Sequence, residues 1–369
     1  MHIQQLTITN WRNYDSASLE LSSSINLIIG DNAQGKTNLL EAVYLCGVGR
    51  SARTPRDKEL IRWQAEQATI NAILKKRLID TTIQIIIDQK AKKRVAINTI
   101  PLTKIGELMG ECRCVLFSPD ELKIIKDAPS ERRRFIDIAL CQLSKVYFYT
   151  LSDFTKILAQ RNKLLKQNRN IVESLDIWDI QLAAAGAKII KSRKGFIREL
   201  STLAQTRHLY LTDQKEQLNI DYEGIKGETV DQIRENFLLE LKKNRQKDLK
   251  NQNTSVGPHK DDICIAINDN SSHSPIDIRT YGSQGQQRTA ALSLKLAEVD
   301  LFTKNSGESP ILLLDDVLSE LDTNRCQKLL TCTVGTQTII TATHIEKDLL
   351  QYLDKAKTFI ITNGNITIE

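Results

Sequence analysis

The sequence predicts an α/β lobe interrupted by a mainly helical insert, and three observations carry that reading. A glycine-containing loop, residues 30 to 37, lies between the apolar run Ile25 to Ile29 and a helix-patterned stretch that begins at Asn38. A second apolar run, Ile311 to Leu314, ends in two carboxylates, Asp315 and Asp316. Between about residues 130 and 250 the alternation of strand and helix patterns gives way to apolar residues recurring at helical spacing. The expected division is therefore 1–129 and 251–369 for the two parts of the lobe, with 130–250 as the insert.

The chain of 369 residues is 41% hydrophobic, enough for a substantial core and two domains. Lys and Arg number 51 against 45 Asp and Glu, a net +6 that permits an acidic partner without requiring one. Seven cysteines stand at irregular spacings, with Cys112-x-Cys114 the one close pair, so neither a zinc ribbon nor a disulfide framework is written here and a reducing compartment is expected. The start of the chain shows no basic stretch followed by an apolar core, and no apolar run approaches the ~20 residues that cross a bilayer. A cytoplasmic protein with no membrane partner is expected.

Residues 3 to 9 and 17 to 21 alternate apolar and polar, which predicts a β-hairpin leading into the loop's own strand. Between its arms stand Trp11, Arg12, Asn13 and Tyr14, where the rings suit stacking on a base and the guanidinium suits a phosphate; rings packed on the sheet are the competing reading. The loop itself is Gly30-Asp31-Asn32-Ala33-Gln34-Gly35-Lys36-Thr37, followed by Asn38. Its glycines let successive N–H groups turn inward at a helix N-terminus, Lys36 reaches the outer phosphates, and Thr37 offers a hydroxyl to Mg²⁺. Stretches 68 to 74, 81 to 88 and 94 to 98 predict a small antiparallel sheet, and Arg113 to Phe117 a buried strand that Ser118-Pro119 ends.

The insert carries four basic clusters, at 132–134, 161–169, 188–198 and 242–250. Each alone reads as a solvated helix face; four together favour contact with phosphates. Sustained heptads are missing, which excludes long coiled-coil arms. Ser255-Val256-Gly257-Pro258-His259-Lys260 marks the turn back to the lobe, into a strand at 263–267. Ser283 and Gly285 then stand at the entrance of a helix predicted over 289–302, a second place where N–H groups meet an anion. After the run 311–314, Asp315 suits a metal ion and Asp316 suits the attacking water. His344 follows the strand 338–341, at the carboxyl end where open α/β sheets bind ligands.

In that order, residues 30–37, 283–288, 311–316, 319–322 and His344 resemble the Walker A, signature, Walker B, D-loop and switch-histidine set of the ABC-type ATPases. Within that class the chain resembles the SMC-like DNA-repair branch, and most closely the RecF family. The likeness rests on Asn10-Trp11-Arg12-Asn13-Tyr14, residues 32–38, Phe117-Ser118-Pro119, Arg132-Arg133-Arg134-Phe135-Ile136-Asp137, Gly257-Pro258-His259-Lys260-Asp261-Asp262 and Ser283-Gln284-Gly285-Gln286-Gln287-Arg288, which span the chain.

The resemblance implies an ABC-type ATPase head with short helical arms, a weak DNA-stimulated ATPase used as a switch, and a head-to-tail homodimer formed with ATP and Mg²⁺. It implies Lys36, Asp316 and His344 as catalytic residues, with Thr37 and Asp315 at the metal. Residues 30–38 and Arg12 would hold the nucleotide in cis, and Ser283, Gly285 and Gln286 would hold it in trans. The implied partners are double-stranded and gapped DNA and a RecR-type mediator of recombinase loading, in a nucleoid-associated protein. Two positions depart from ABC enzymes broadly: Ser118 stands where a Gln is usual, and Asp316 is one methylene shorter than the usual Glu, which implies slow hydrolysis. A transporter's ATPase subunit, a passive ATP-stabilised DNA-binding module and an SMC-like fragment share parts of the pattern; the compact basic insert speaks against the first and the last.

Overall fold

The computed structural model describes residues 1–167, 172–269, 275–362 and 364–368. They form two compact units, Met1–Leu122 with Arg288–Glu369, and Lys123–Gln287. The first unit opens with β1 (His2–Trp11), β2 (Tyr14–Glu20) and β3 (Ile25–Ile29), then helix α1 (Lys36–Val48). There follow β4 (Gln67–Lys75), β5 (Thr81–Asp88), β6 (Arg94–Ile97), β7 (Ile100–Pro101) and β8 (Cys114–Phe117). The second unit holds β9 (Glu216–Glu223), β10 (Asp262–Asp269) and β11 (Ile276–Asp277) among its helices. The chain re-enters the first unit along the helix Gln284–Ser306 and closes with β12 (Ile311–Asp315), β13 (Thr338–Ala342), β14 (Lys357–Thr362) and β15 (Asn365–Ile368).

Two six-stranded sheets build the first unit, ordered β2-β1-β4-β5-β6-β7 and β15-β14-β3-β13-β12-β8. The first is antiparallel, and β4 and β5 bury alternate residues, the pattern of a sheet with one face on the core. In the second, β3, β8, β12, β13 and β14 run parallel, and β12 and β13 are buried along almost their whole length, as strands covered on both faces must be. Strand β3 lies between β13 and β14, so its two neighbours are both made more than 300 residues after it. The two sheets are stapled by Gln337, which is 2% exposed: its amide accepts from Ile3 N at 2.7 Å and donates to the carbonyls of Ile3 and Ser22 at 2.8 Å each. The staple sits where β1 shifts register against β4 between Ile3 and Gln5, so the bulge frees the backbone groups that Gln337 satisfies.

In the second unit the apolar helical spacing that begins at about residue 130 is carried by two successive helices, Pro129–Leu143 and Lys145–Leu165. Ser144 is extended (φ −145°, ψ 110°), and its hydroxyl accepts from Tyr147 N at 3.1 Å, ending Pro129–Leu143 and capping Lys145–Leu165. The longest helix, Val172–Leu211, runs 40 residues. Strand β9, inside the stretch read as helical, pairs antiparallel with β10 over its full length. That pairing carries the second unit on to Gln287, past the boundary at 250 expected from composition.

The basic clusters behave differently from either sequence reading, because several of their arginines are internal. Arg161 is fully buried and donates to Asp179 at 2.7 Å, to Asp248 at 2.8 Å and to Thr254 at 2.8 Å. Arg193 binds Asp137 and the carbonyl of Pro258, Arg132 binds Asp262, and Arg245 binds Asp176 and Asp179. These guanidiniums lace helices to the turn at 254–262, since a buried charge persists only with matched partners. What stays exposed is mostly lysine: Lys163, Lys166, Lys188, Lys191, Lys242, Lys243, Lys247 and Lys250.

Candidate functional site

The glycine loop leaves the carboxyl end of β3 and enters α1, as the sequence requires. Gly35 has φ 113°, and a Cβ there would stand 2.5 Å from the Asn13 side chain and 2.8 Å from the Tyr14 hydroxyl, so only glycine fits. A Cβ on Gly30 would meet the carbonyl oxygen of Ile361 at 2.6 Å, which fixes glycine at the other end of the loop. Ala33 also has positive φ, 66°. Around this curl the Lys36 ammonium donates to the carbonyls of Gly30 at 2.6 Å and Asp31 at 3.1 Å, holding the side chain across the loop mouth. Asp31 and Asn32 are exposed, and the Gln34 carbonyl accepts from Asn13 Nδ2 at 2.9 Å.

The carboxylates at the end of β12 arrive beside this loop through the parallel pairing with β13. Thr37 Oγ1 donates to Asp315 Oδ1 at 2.9 Å, joining residues 278 positions apart. Thr341 Oγ1 donates to the same oxygen at 2.8 Å and accepts from Asp316 N at 3.0 Å. Burial pushes the Asp315 carboxyl above its ordinary range, against the pull of the two hydroxyls, and the neighbouring Asp316 charge pushes the same way. Asp316 itself is left-handed (φ 56°), a conformation that turns the chain after the strand. One carboxylate and one hydroxyl at hydrogen-bond distance, beside a loop that curls around an ammonium, form the donor set that Mg²⁺ on a triphosphate takes: few protein ligands, the rest phosphate and water. Thr341 was not read from the sequence as part of the site; the signal was a hydroxyl in the apolar run 339–342 of a strand ending at the loop.

Trp11 and Tyr14 do not serve as stacking rings. Both are fully buried, Trp11 with its indole N–H on the carbonyl of Asn38 at 2.7 Å and Tyr14 with its hydroxyl against Gly35. The hairpin turn wraps α1, and its rings are core. Arg12, between them, lies at α1 with φ 51° and binds Glu41. Trp63, two residues beyond the bridge of Ile61 to Trp11, is 87% exposed. Ser118 lines a small cleft with Phe117, Leu122, Arg288 and Leu321, and Arg288 spans to Glu320 at 2.5 Å.

In the second unit, Ser283 caps the helix Gln284–Ser306, which starts five residues earlier than its apolar spacing predicts. Its hydroxyl accepts from Gln286 N at 3.2 Å, while Gln286 Oε1 accepts from Ser283 N at 2.8 Å, a reciprocal capping pair. Gln286 Nε2 also donates to Glu216 at 2.9 Å. Ser283 and Gly285 are exposed at the helix start. His344 is exposed two residues past β13, its Nδ1 3.2 Å from Thr343 Oγ1. No helix of the described residues is long and apolar enough to cross a membrane.

Comparison with known proteins agrees with this geometry along the whole chain. The family model for the RecF/RecN/SMC N terminal domain matches residues 2–366. The "DNA replication and repair protein RecF" of Clostridium perfringens is 46% identical over 368 residues, covering 99% of each chain. That of Alkaliphilus oremlandii is 46% identical over 372 residues, 99% of this chain and 100% of its own. A solved structure of the recombination mediator protein RecF, RecF-ATP in the RecFOR pathway, superposes with a TM-score of 0.90 at 34% identity, over 100% of this chain and 97% of that one. An SMC head domain bound to part of ScpA matches with a TM-score of 0.57 at 14% identity, covering 100% of this chain and 98% of that one, which speaks to the fold alone. Matched by the family model over residues 2–366 and 46% identical to curated relatives end to end, the chain belongs to the RecF family of DNA replication and repair proteins, within the SMC-like, ABC-type ATPases.

Proposed function

We propose that this chain is an ATP-dependent DNA-binding protein of recombinational repair and replication. Two copies close head to tail over two ATP, clamp duplex DNA near single-strand gaps, and help a RecR-type mediator load recombinase; slow hydrolysis then resets them. The observation that carries the reading is the meeting of Thr37 and Asp315 at 2.9 Å across 278 residues, beside the loop that encloses the Lys36 ammonium. The similar RecF solved with ATP is a recombination mediator protein of the RecFOR pathway, which supports a mediator as partner.

Mg²⁺, when bound, would supply charge neutralisation to the triphosphate. Lys36 exchanges two carbonyl oxygens for phosphate oxygens, a trade that favours the more charged acceptor. Thr37 and Asp315 would hold the metal, and Thr341 keeps Asp315 aimed by bonding the same oxygen. Asp316 would orient or deprotonate the attacking water, and His344, exposed past the end of β13, would act as a further catalytic residue. Ser283, Gly285 and Gln286 offer their open helix start to the partner's nucleotide, and Arg12 and residues 30–38 hold the nucleotide in cis. Because only the triphosphate reaches both copies, ATP binds the closed pair better than the open chain, the differential affinity a switch needs.

Sedimentation of the purified chain with ADP and with ATP, each with and without gapped duplex, tests this. The expected result is a dimer with ATP alone, bound to DNA, and a monomer for Ser283→Arg under the same conditions. Normal pairing of Ser283→Arg with ATP would overturn the trans contact.

A further inference from the structure

Glu41 lies on α1 five residues past Lys36, and its side chain is 1% exposed. A carboxylate this far from water needs charge and hydrogen bonds in return. Arg12 supplies both, donating from Nε to Oε2 and from Nη2 to Oε1 at 2.9 Å each, the two-pronged geometry that fixes a guanidinium in plane and in rotation. Ser51 Oγ donates to Oε1 at 2.5 Å, and Arg53 Nη1 stands 4.0 Å from Oε2.

These contacts extend in both directions. Ser51 Oγ accepts from the backbone N–H of Arg53 and of Thr54, at 3.0 Å each. Arg53 Nη1 donates to Asn38 Oδ1 at 2.9 Å, Asn38 Nδ2 donates to Asn13 Oδ1 at 2.8 Å, and Asn13 Nδ2 donates to the Gln34 carbonyl at 2.9 Å. The network thus leaves the glycine loop at Gln34 and returns to its helix at Asn38, with Glu41 the one carboxylate facing both guanidiniums among the described residues. Arg12 Nη1 donates to the Glu59 carbonyl at 3.0 Å, so three of its five donors are committed and two remain for another acceptor.

We infer that Glu41 is a positioning residue for the nucleotide: a buried anion that locks the Arg12 guanidinium in one orientation, with its remaining donors set for phosphate, and ties the 51–54 segment to the same point. It does not itself touch the triphosphate. Two cations held beside a loop that already contains Lys36 repel one another, and Glu41 offsets that repulsion whether or not the triphosphate is there. The inference rests on the proposed binding of ATP at residues 30–38.

Titration calorimetry of the full-length chain with Mg²⁺ and ATP tests it through a double-mutant cycle of Glu41→Gln and Arg12→Ala, with melting temperatures measured in parallel. Glu41→Gln keeps the shape and removes the charge. Each single change is expected to weaken ATP binding about tenfold, and the double variant to bind no more weakly than Arg12→Ala alone, because both act through one guanidinium. Ser51→Ala, which removes a contact of Glu41 but leaves Arg12 held, is expected to stay within about twofold of the parent. A merely structural Glu41 would lower the melting temperature and leave the ATP affinity of the folded protein at the parent value, or its loss would multiply with that of Arg12→Ala; either result overturns the inference. If Glu41→Gln fails to fold, Glu41→Asp is used in the cycle, its shorter carboxylate being expected to weaken ATP binding through the same guanidinium. A parent chain that binds no ATP, or a Lys36→Ala variant that binds as well as the parent, overturns the proposed ATP site instead.

Discussion

Asp315 stands between stability and function. Its carboxyl is buried and its protonation is favoured in the folded chain, so the stability this gives is fully present below the unfolded pKa and is lost as pH rises through the folded one. At neutral pH the ionised group therefore costs the nucleotide-free protein stability. Asp315→Asn keeps an oxygen for Thr37 and Thr341 and removes the charge, so it is expected to raise the melting temperature without nucleotide while abolishing Mg²⁺-dependent ATP binding. Asp316→Asn is expected to behave differently: ATP binding stays, hydrolysis falls by at least about a hundredfold, and the ATP-bound dimer persists, as single-turnover kinetics and sedimentation would read. An unchanged dimer lifetime would favour a passive module in which ATP only holds two copies together. The residues of the loop and the two aspartates were legible in the sequence because their spacing is dictated by phosphate and metal chemistry. Thr341 and Glu41 were not, because each acts through a partner that only the folded chain brings near, and neither spacing nor composition marks such a pairing.

At the level of elements, the strand–loop–helix around Gly35 was legible for the same reason that it is intolerant. Gly35→Ala forces a Cβ into a left-handed position and against Asn13, and is expected to lower ATP affinity by at least about tenfold, with strain on the order of 1–3 kcal/mol in the loop. The helical insert was legible in outline only. Its arginines look in sequence like a polyanion-binding face, but burial, which sequence does not state, turns Arg161 and Arg193 into internal ties. Arg161→Met leaves Asp248 buried without its cation, Asp179 keeping Arg245, and is expected to destabilise the protein by about 3–5 kcal/mol, seen as a large drop in melting temperature. His259, in the same unit, bonds the Thr254 carbonyl at 3.0 Å and is lowered to about 4, chiefly by burial. The unfolded chain takes up a proton near pH 6.5 and the folded one only near 4, so the stability from neutral His259 is present above 6.5 and lost as pH falls towards 4. Asp261, raised by burial, opposes this at the acid end. His259→Gln is expected to flatten the fall in melting temperature across that window.

For the whole molecule, the surviving surface lysines set the electrostatics of any DNA complex. If they contact duplex phosphates, affinity falls steeply with salt, and replacing Lys188, Lys191, Lys242 and Lys243 by Gln lowers the slope of log K against log salt by roughly one per contact removed. A flat salt response would remove the DNA clamp. The overall α/β plan was readable from the sequence because its strands announce themselves by composition, yet the order of those strands was not, since neither sheet neighbours nor the β9–β10 pairing follow from local pattern. That order bears on how the protein is made. A ribosome releases β3 more than 300 residues before the two strands that flank it and the glutamine that staples the sheets. A nascent chain therefore carries residues 30–37 on a strand without its parallel neighbours for more than 300 residues of synthesis, and a chain cut short before residue 337 lacks both flanking strands and the staple, however well its middle portion has folded.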